Sequence, residues 1–136
     1  MRILAVDFGE KRIGLATSDA RGAIATPRVT LRRTDDARAV HELRRFCATE
    51  EVERVVFGIP RRAGGEESPF AARIRSFARK FSQESEIPVD FHEETLTSQE
   101  AQRRLPPNSE KGAVDREAAA VLLQDYLEHL ARAPKR

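Results

Sequence analysis

Tryptophan is absent from this sequence, tyrosine occurs once, and aromatic residues together make up 6% of it. That excludes the stacking platform on which single-strand binders lay successive bases. If the protein meets nucleic acid, it is expected to do so mainly through the phosphate backbone. The single cysteine, Cys47, leaves no internal disulfide and no multi-cysteine zinc site. No apolar run approaches the roughly 20 residues that span a bilayer, and Ile3 to Val6 is too short for the apolar stretch of a signal peptide. No membrane partner and a reducing, cytoplasmic setting are the expectation. Neither charge sign is in large excess: the net charge is +2 and the isoelectric point about 9.0, which permits nucleic acid without arguing for it.

What is present is enough for one domain over residues 1–136. Ile3-Leu4-Ala5-Val6 runs straight into Asp7, as a central strand buried on both faces would. Phe8 to Lys11 supplies a turn, and Ile13 to Ala16 a second strand paired back on the first. Ala25 to Leu31, interrupted by Pro27, suits an edge strand. Thr34 offers a helix cap, and Val40, Leu43, Phe46 and Cys47 recur at helical spacing, which makes Cys47 a core residue. Val52 to Ile59 is a fourth strand. Ser68-Pro69 starts a helix, Ile87 to Glu94 is a fifth strand, and a short helix runs from Thr97 or Ser98 to about Arg104. The prolines of Leu105-Pro106-Pro107 break it, and a last helix runs from about Val114 to Ala131. Three strands followed by alternating helix and strand predict an α/β fold. Its sheet is mixed and five-stranded, with three antiparallel strands and then two parallel ones, flanked by helices.

Sites in such sheets lie at the carboxyl ends of adjacent parallel strands. That gathers Asp7, Gly58-Ile59-Pro60 and Glu93-Glu94. Asp115 heads a stripe on the last helix whose further members are Ala119, Leu122 and Tyr126. A first-turn acid favoured by the helix dipole explains Asp115 alone, and a turn cap explains Asp7 alone. Together they suggest carboxylates in one cleft, which need a divalent cation to stay ionised. Strand alternation lets only one of Glu93 and Glu94 face Asp7, and spacing does not choose between them. Arg61-Arg62-Ala63-Gly64-Gly65, before a helix start, could meet phosphate, although it lacks the lysine-serine or lysine-threonine pair of a nucleotide-binding loop. An ordinary solvated turn is an equal reading.

Four blocks, in order and spacing, resemble the YqgF/RuvX family. They are Leu4-Ala5-Val6-Asp7-Phe8-Gly9 with Lys11-Arg12-Ile13-Gly14, Val56-Phe57-Gly58-Ile59-Pro60 with Gly65, Glu94-Thr95-Leu96-Thr97-Ser98, and Lys111 with Asp115-Arg116-Glu117-Ala118-Ala119. Members are ribonuclease H-like proteins described as pre-16S rRNA nucleases or Holliday junction resolvases. The resemblance implies a ribonuclease H-like fold, a catalytic and metal-binding triad of Asp7, Glu94 and Asp115 (Glu93 being second choice to Glu94), and two Mg²⁺ or Mn²⁺ ions about 4 Å apart. It implies a hydrolase acting on structured nucleic acid, most directly the 5′ end of pre-16S rRNA. The alternatives are Holliday junction resolution or a non-catalytic nucleic-acid-binding factor of the same fold. Lys11, Arg12, Arg61, Arg62 and Lys111 would position the backbone, and the protein would be a monomer or homodimer. The chain departs from the family pattern in Glu93 for Asp, Thr95 for Arg and Arg62 for Asn.

Overall fold

In the computed structural model, which describes residues 1–61, 64–94 and 97–132, one mixed sheet carries the site. Its elements are β1 (Ile3–Phe8), β2 (Arg12–Ser18), β3 (Ala25–Arg32), α1 (Asp36–Glu50), β4 (Arg54–Pro60), α2 (Pro69–Ser85), β5 (Val89–Glu94), α3 (Thr97–Arg104) and α4 (Lys111–Arg132). The strand order is β3-β2-β1-β4-β5. The first three strands are antiparallel, and β4 and β5 run parallel to β1. The expected sheet is therefore the one that forms. Pro27 lies on edge strand β3, opposite Ala16, beside a register shift in the β2–β3 ladder. An edge strand has one row of backbone groups unpaired, so a missing N–H is tolerated there.

Alternation along β1 sorts its side chains onto two cores. Leu4, Val6 and Phe8 face one side with Val55, Phe57 and Ile59, packed by Leu43 and Cys47 of α1 and Ile74, Phe77 and Phe81 of α2. Ile3 and Ala5 face the other side with Ala16 and Val56, covered by Ala119, Leu122, Leu123 and Tyr126 of α4. Phe77 meets Phe8 at 4.6 Å and Phe57 at 6.1 Å between ring centroids, so truncating it to alanine would cost about 3–5 kcal/mol. The α4 side is lined by alanines, which lets that helix lie close to the sheet. The cysteine behaves as the core residue expected: Cys47 is buried, and burial pushes its thiol up to about 12.

Two boundaries differ from the sequence reading. Asp35, not Thr34, caps α1, its carboxylate accepting from the Arg38 N–H at 2.8 Å. More important for the site, α4 begins at Lys111, about three residues earlier than the glycine-proline signals suggest. Gly112 is retained in the first turn because its carbonyl accepts a 2.5 Å bond from Thr30 Oγ1 on β3. Asp115 consequently sits in the second turn, beyond the orphan N–H groups, and the helix-dipole explanation for an acid there loses most of its force.

Candidate acidic site

A single row crosses the sheet at its carboxyl mouth. Thr30 pairs with Gly14, and Gly14 with Asp7. Asp7 follows Val6, whose parallel partner Phe57 precedes Gly58, and Gly58 pairs with His92. Asp7 is thus flanked on both neighbouring strands by glycine. Each glycine admits something that a side chain would exclude. A Cβ at Gly14 would collide with the backbone of Asp115, so this glycine lets α4 descend onto β2. A Cβ at Gly58 would collide with the Glu94 carboxylate, which instead reaches back over β4 towards Asp7. Glu94 is two residues beyond His92 and shares its face, the one covered by α4.

That register decides between the paired glutamates. Glu93 faces the opposite side of β5, where it forms an exposed 3.5 Å pair with Arg61. Glu94 meets Asp7, their carboxyl groups lying within hydrogen-bond reach of one another. Asp7 is held protonated well above the usual carboxylate range, first by burial, then by the charge of Glu94, by the hydrogen bond to it, and by the charge of Asp115. The turn after β1 closes without Asp7: its amide bond runs from Gly9 N–H to the Arg12 carbonyl at 2.9 Å. Asp7 therefore does not serve as the turn cap that its sequence context allows.

Asp115 is close enough for its charge to act on Asp7, yet its Oδ2 accepts from Arg12 Nε at 2.5 Å. Arg12, expected to meet nucleic acid, is paired with this acid in the structure. No group of three His, Cys, Asp or Glu side chains among the described residues is disposed to hold a metal ion as it stands. The donor chemistry nevertheless fits a hard divalent cation. All three groups are carboxylates, two already lie within hydrogen-bond reach of one another, and Gly58 gives the Glu94 carboxylate the room that a Cβ would take. Asp7, Glu94 and Asp115 are the residues that would hold it.

Around the mouth, Lys11 and Lys111 are exposed, and their side chains make no hydrogen bond or ion pair among the described residues. Lys111 is one helical turn before Asp115 and so shares its face of α4. Arg62 and Thr95 lie outside the described residues. The polar residues earlier on β5 are satisfied structurally: His92 Nε2 meets Asp125 Oδ2 at 2.7 Å, and Asp90 accepts from the Tyr126 hydroxyl at 2.7 Å. A cleft of about 490 Å³ between the ends of α1 and α2, lined by His41, Arg44, Arg45 and Ser85, includes none of the acids. Sequence reasoning missed the Arg12–Asp115 pair, which joins residues 103 apart in the chain and leaves no local signal.

Comparison with known proteins agrees with the fold. The profile of the family described as "RuvX: Holliday junction resolvase" matches residues 1–129. A protein of Heliobacterium modesticaldum is 40% identical, the match covering 96% of this chain and 93% of that one. One of Acaryochloris marina is 36% identical, covering 92% and 90%. Both carry the name "Putative pre-16S rRNA nuclease". Among solved structures, Thermus thermophilus RuvC in complex with a Holliday junction superposes with a TM-score of 0.60 over 97% of each chain, at 13% identity. The fowlpox virus resolvase with junction DNA gives 0.58, covering 97% of this chain and 100% of that one, at 17% identity. At such identities the likeness is one of fold, and that fold is ribonuclease H-like.

Proposed function

We infer that this chain, which belongs to the RuvX family, is a divalent-cation-dependent phosphodiesterase of structured nucleic acid. Processing of the 5′ end of pre-16S rRNA is the reading that the names of its relatives favour, with Holliday junction cleavage as the alternative. The observation that carries the proposal is the meeting of Asp7 and Glu94 at the mouth of the sheet, with Asp115 acting on the same pocket. Carboxylates so placed destabilise the free protein, and a bound cation is what turns that cost into function. Bound there, Mg²⁺ or Mn²⁺ would supply an activated water and stabilise the leaving oxygen.

The chain's own residues do the rest. Asp7 and Glu94 supply facing oxygens from two strands, and Gly58 leaves the room that the Glu94 carboxylate occupies. Asp115 approaches from the helix through the gap that Gly14 leaves. Lys11 and Lys111 at the rim, with Arg61 after β4, offer cations to the phosphate backbone, and Arg62 follows Arg61 in the sequence. The non-catalytic alternative has its own support in the Arg12–Asp115 pair, which leaves only two of the three carboxylates facing each other.

A side-by-side cleavage assay distinguishes these readings. A precursor rRNA and a four-way DNA junction are each incubated with Mg²⁺ or Mn²⁺ and either wild type or Asp7→Asn. Metal-dependent product from the RNA with wild type alone is expected. Salt-sensitive binding of both substrates without product would establish the binding factor instead. Paired, symmetric cuts in the junction by a dimer would establish the resolvase.

A further inference from the structure

Arg12 is placed to do more than contact nucleic acid. It lies on β2 on the face covered by α4, and its Nε bonds Asp115 Oδ2 at 2.5 Å, the two side chains being 37% and 22% exposed. The contact is through a single N–H, although a guanidinium can fork two onto a carboxylate. Its other N–H groups have no partner among the described residues. The neighbouring cation on α4, Arg116, is turned away, bonding Thr30 Oγ1 at 3.4 Å and Glu110 Oε1 at 3.0 Å. Asp115 therefore owes its charge balance to Arg12. The acid on α4 is thus neutralised without a metal, by a group that also binds phosphate well.

We propose that Arg12 is a resident counter-cation of Asp115 that a divalent ion must displace, and that a backbone phosphate, by drawing the guanidinium away, opens Asp115 to that ion. This rests on the nuclease reading and adds an order to it: the metal site is completed when nucleic acid arrives. Free protein then holds divalent ions weakly, and by linkage the ion and the nucleic acid raise each other's affinity by the same factor. A partly exposed side chain on a strand next to a tight turn can make the exchange without disturbing the core. Arg12 is in this account a positioning residue, acting through Asp115.

The test reads metal binding, not turnover. Free Mn²⁺ is followed by its electron paramagnetic resonance signal as protein is titrated in, for wild type, Arg12→Gln and Arg12→Lys. Arg12→Gln is expected to bind Mn²⁺ about tenfold more tightly than wild type, because one competing charge has gone. Arg12→Lys, which keeps the charge, is expected to stay within about threefold of wild type and guards against a purely structural effect of the glutamine. In a second measurement, a fluorescein-labelled four-way DNA junction is titrated in EDTA and in Ca²⁺. Wild type should gain affinity with Ca²⁺, and Arg12→Gln should lose most of that gain. Measurable Mn²⁺ binding that Arg12→Gln leaves unchanged or weakens overturns this proposal alone. Absence of Mn²⁺ binding in all three proteins overturns the metal reading of the site and this proposal with it.

Discussion

Replacing Asp7 with asparagine should stabilise the metal-free protein at neutral pH. The variant keeps the shape of the side chain and adds an N–H that can donate to Glu94. It removes a carboxyl group that burial and two neighbouring acids penalise when ionised. Two like charges about 4 Å apart repel by about 4 kcal/mol at an effective dielectric constant of about 20, which is an upper bound because protonation relieves it. The expected gain is about 1–3 kcal/mol, the range for relieving one badly placed buried polar group. For a chain of this length the unfolding entropy is about 0.3 kcal/mol per kelvin, so the gain corresponds to a rise in Tm of about 4–10 °C. Its pH dependence follows from the raised native value of Asp7. Near pH 4, close to the unfolded-state value of about 3.9, the carboxyl is largely neutral in the native state and asparagine gives little advantage. As pH rises, the unfolded chain releases its proton while the native state retains it, so wild-type stability falls until the native group also ionises. The difference between variant and wild type should therefore open above about pH 4 and widen with pH until the native carboxyl itself ionises. Thermal unfolding of both proteins by circular dichroism, in EDTA from pH 4 to 8, measures it. A loss of stability at neutral pH, or a gain that persists undiminished at pH 4, would refute the placement of Asp7 among acids.

Gly58→Ala should fold but lose metal-dependent cleavage by about 100-fold or more, since its methyl group takes the space of the Glu94 carboxylate; a cleavage assay beside a thermal melt checks both halves. Gly14→Ala should be the costlier change, by about 2–4 kcal/mol in urea unfolding, because the obstruction is the α4 backbone and not a movable side chain end. Cys47 should resist a thiol reagent in the native state at pH 8 and react fully once urea unfolds the chain, as its buried thiol requires.

The sheet was legible in the sequence because its signals are local. Ile3 to Val6 is apolar on both faces, Pro27 marks an edge, and Ser68-Pro69 starts α2 as its cap chemistry dictates, with the Ser68 hydroxyl accepting from the Ala71 N–H at 3.1 Å. The convergence of Asp7 with an acid of β5 followed from strand order alone. The choice of Glu94 over Glu93 did not, because it depends on how β5 registers against β4 and on the bare Cα of Gly58. The start of α4 was misjudged for a related reason: Gly112 looks like a helix breaker until Thr30, 82 residues away, holds its carbonyl. Arg12 is the sharpest case. Its position beside Lys11 in a basic turn predicts a phosphate contact, and only the fold brings Asp115 within its reach. Each feature that local pattern did not reveal depends on a contact between elements distant in the chain.

The central claim, that acids from β1, β5 and α4 form one cation site, is tested most directly by crystals soaked in Mn²⁺ and measured for anomalous scattering. The account predicts a peak in contact with the carboxylates of Asp7 and Glu94, with Asp115 turned from Arg12 towards it. No peak in that pocket at saturating Mn²⁺, with Asp115 still held by Arg12 and Asp7 still hydrogen-bonded to Glu94, would contradict it.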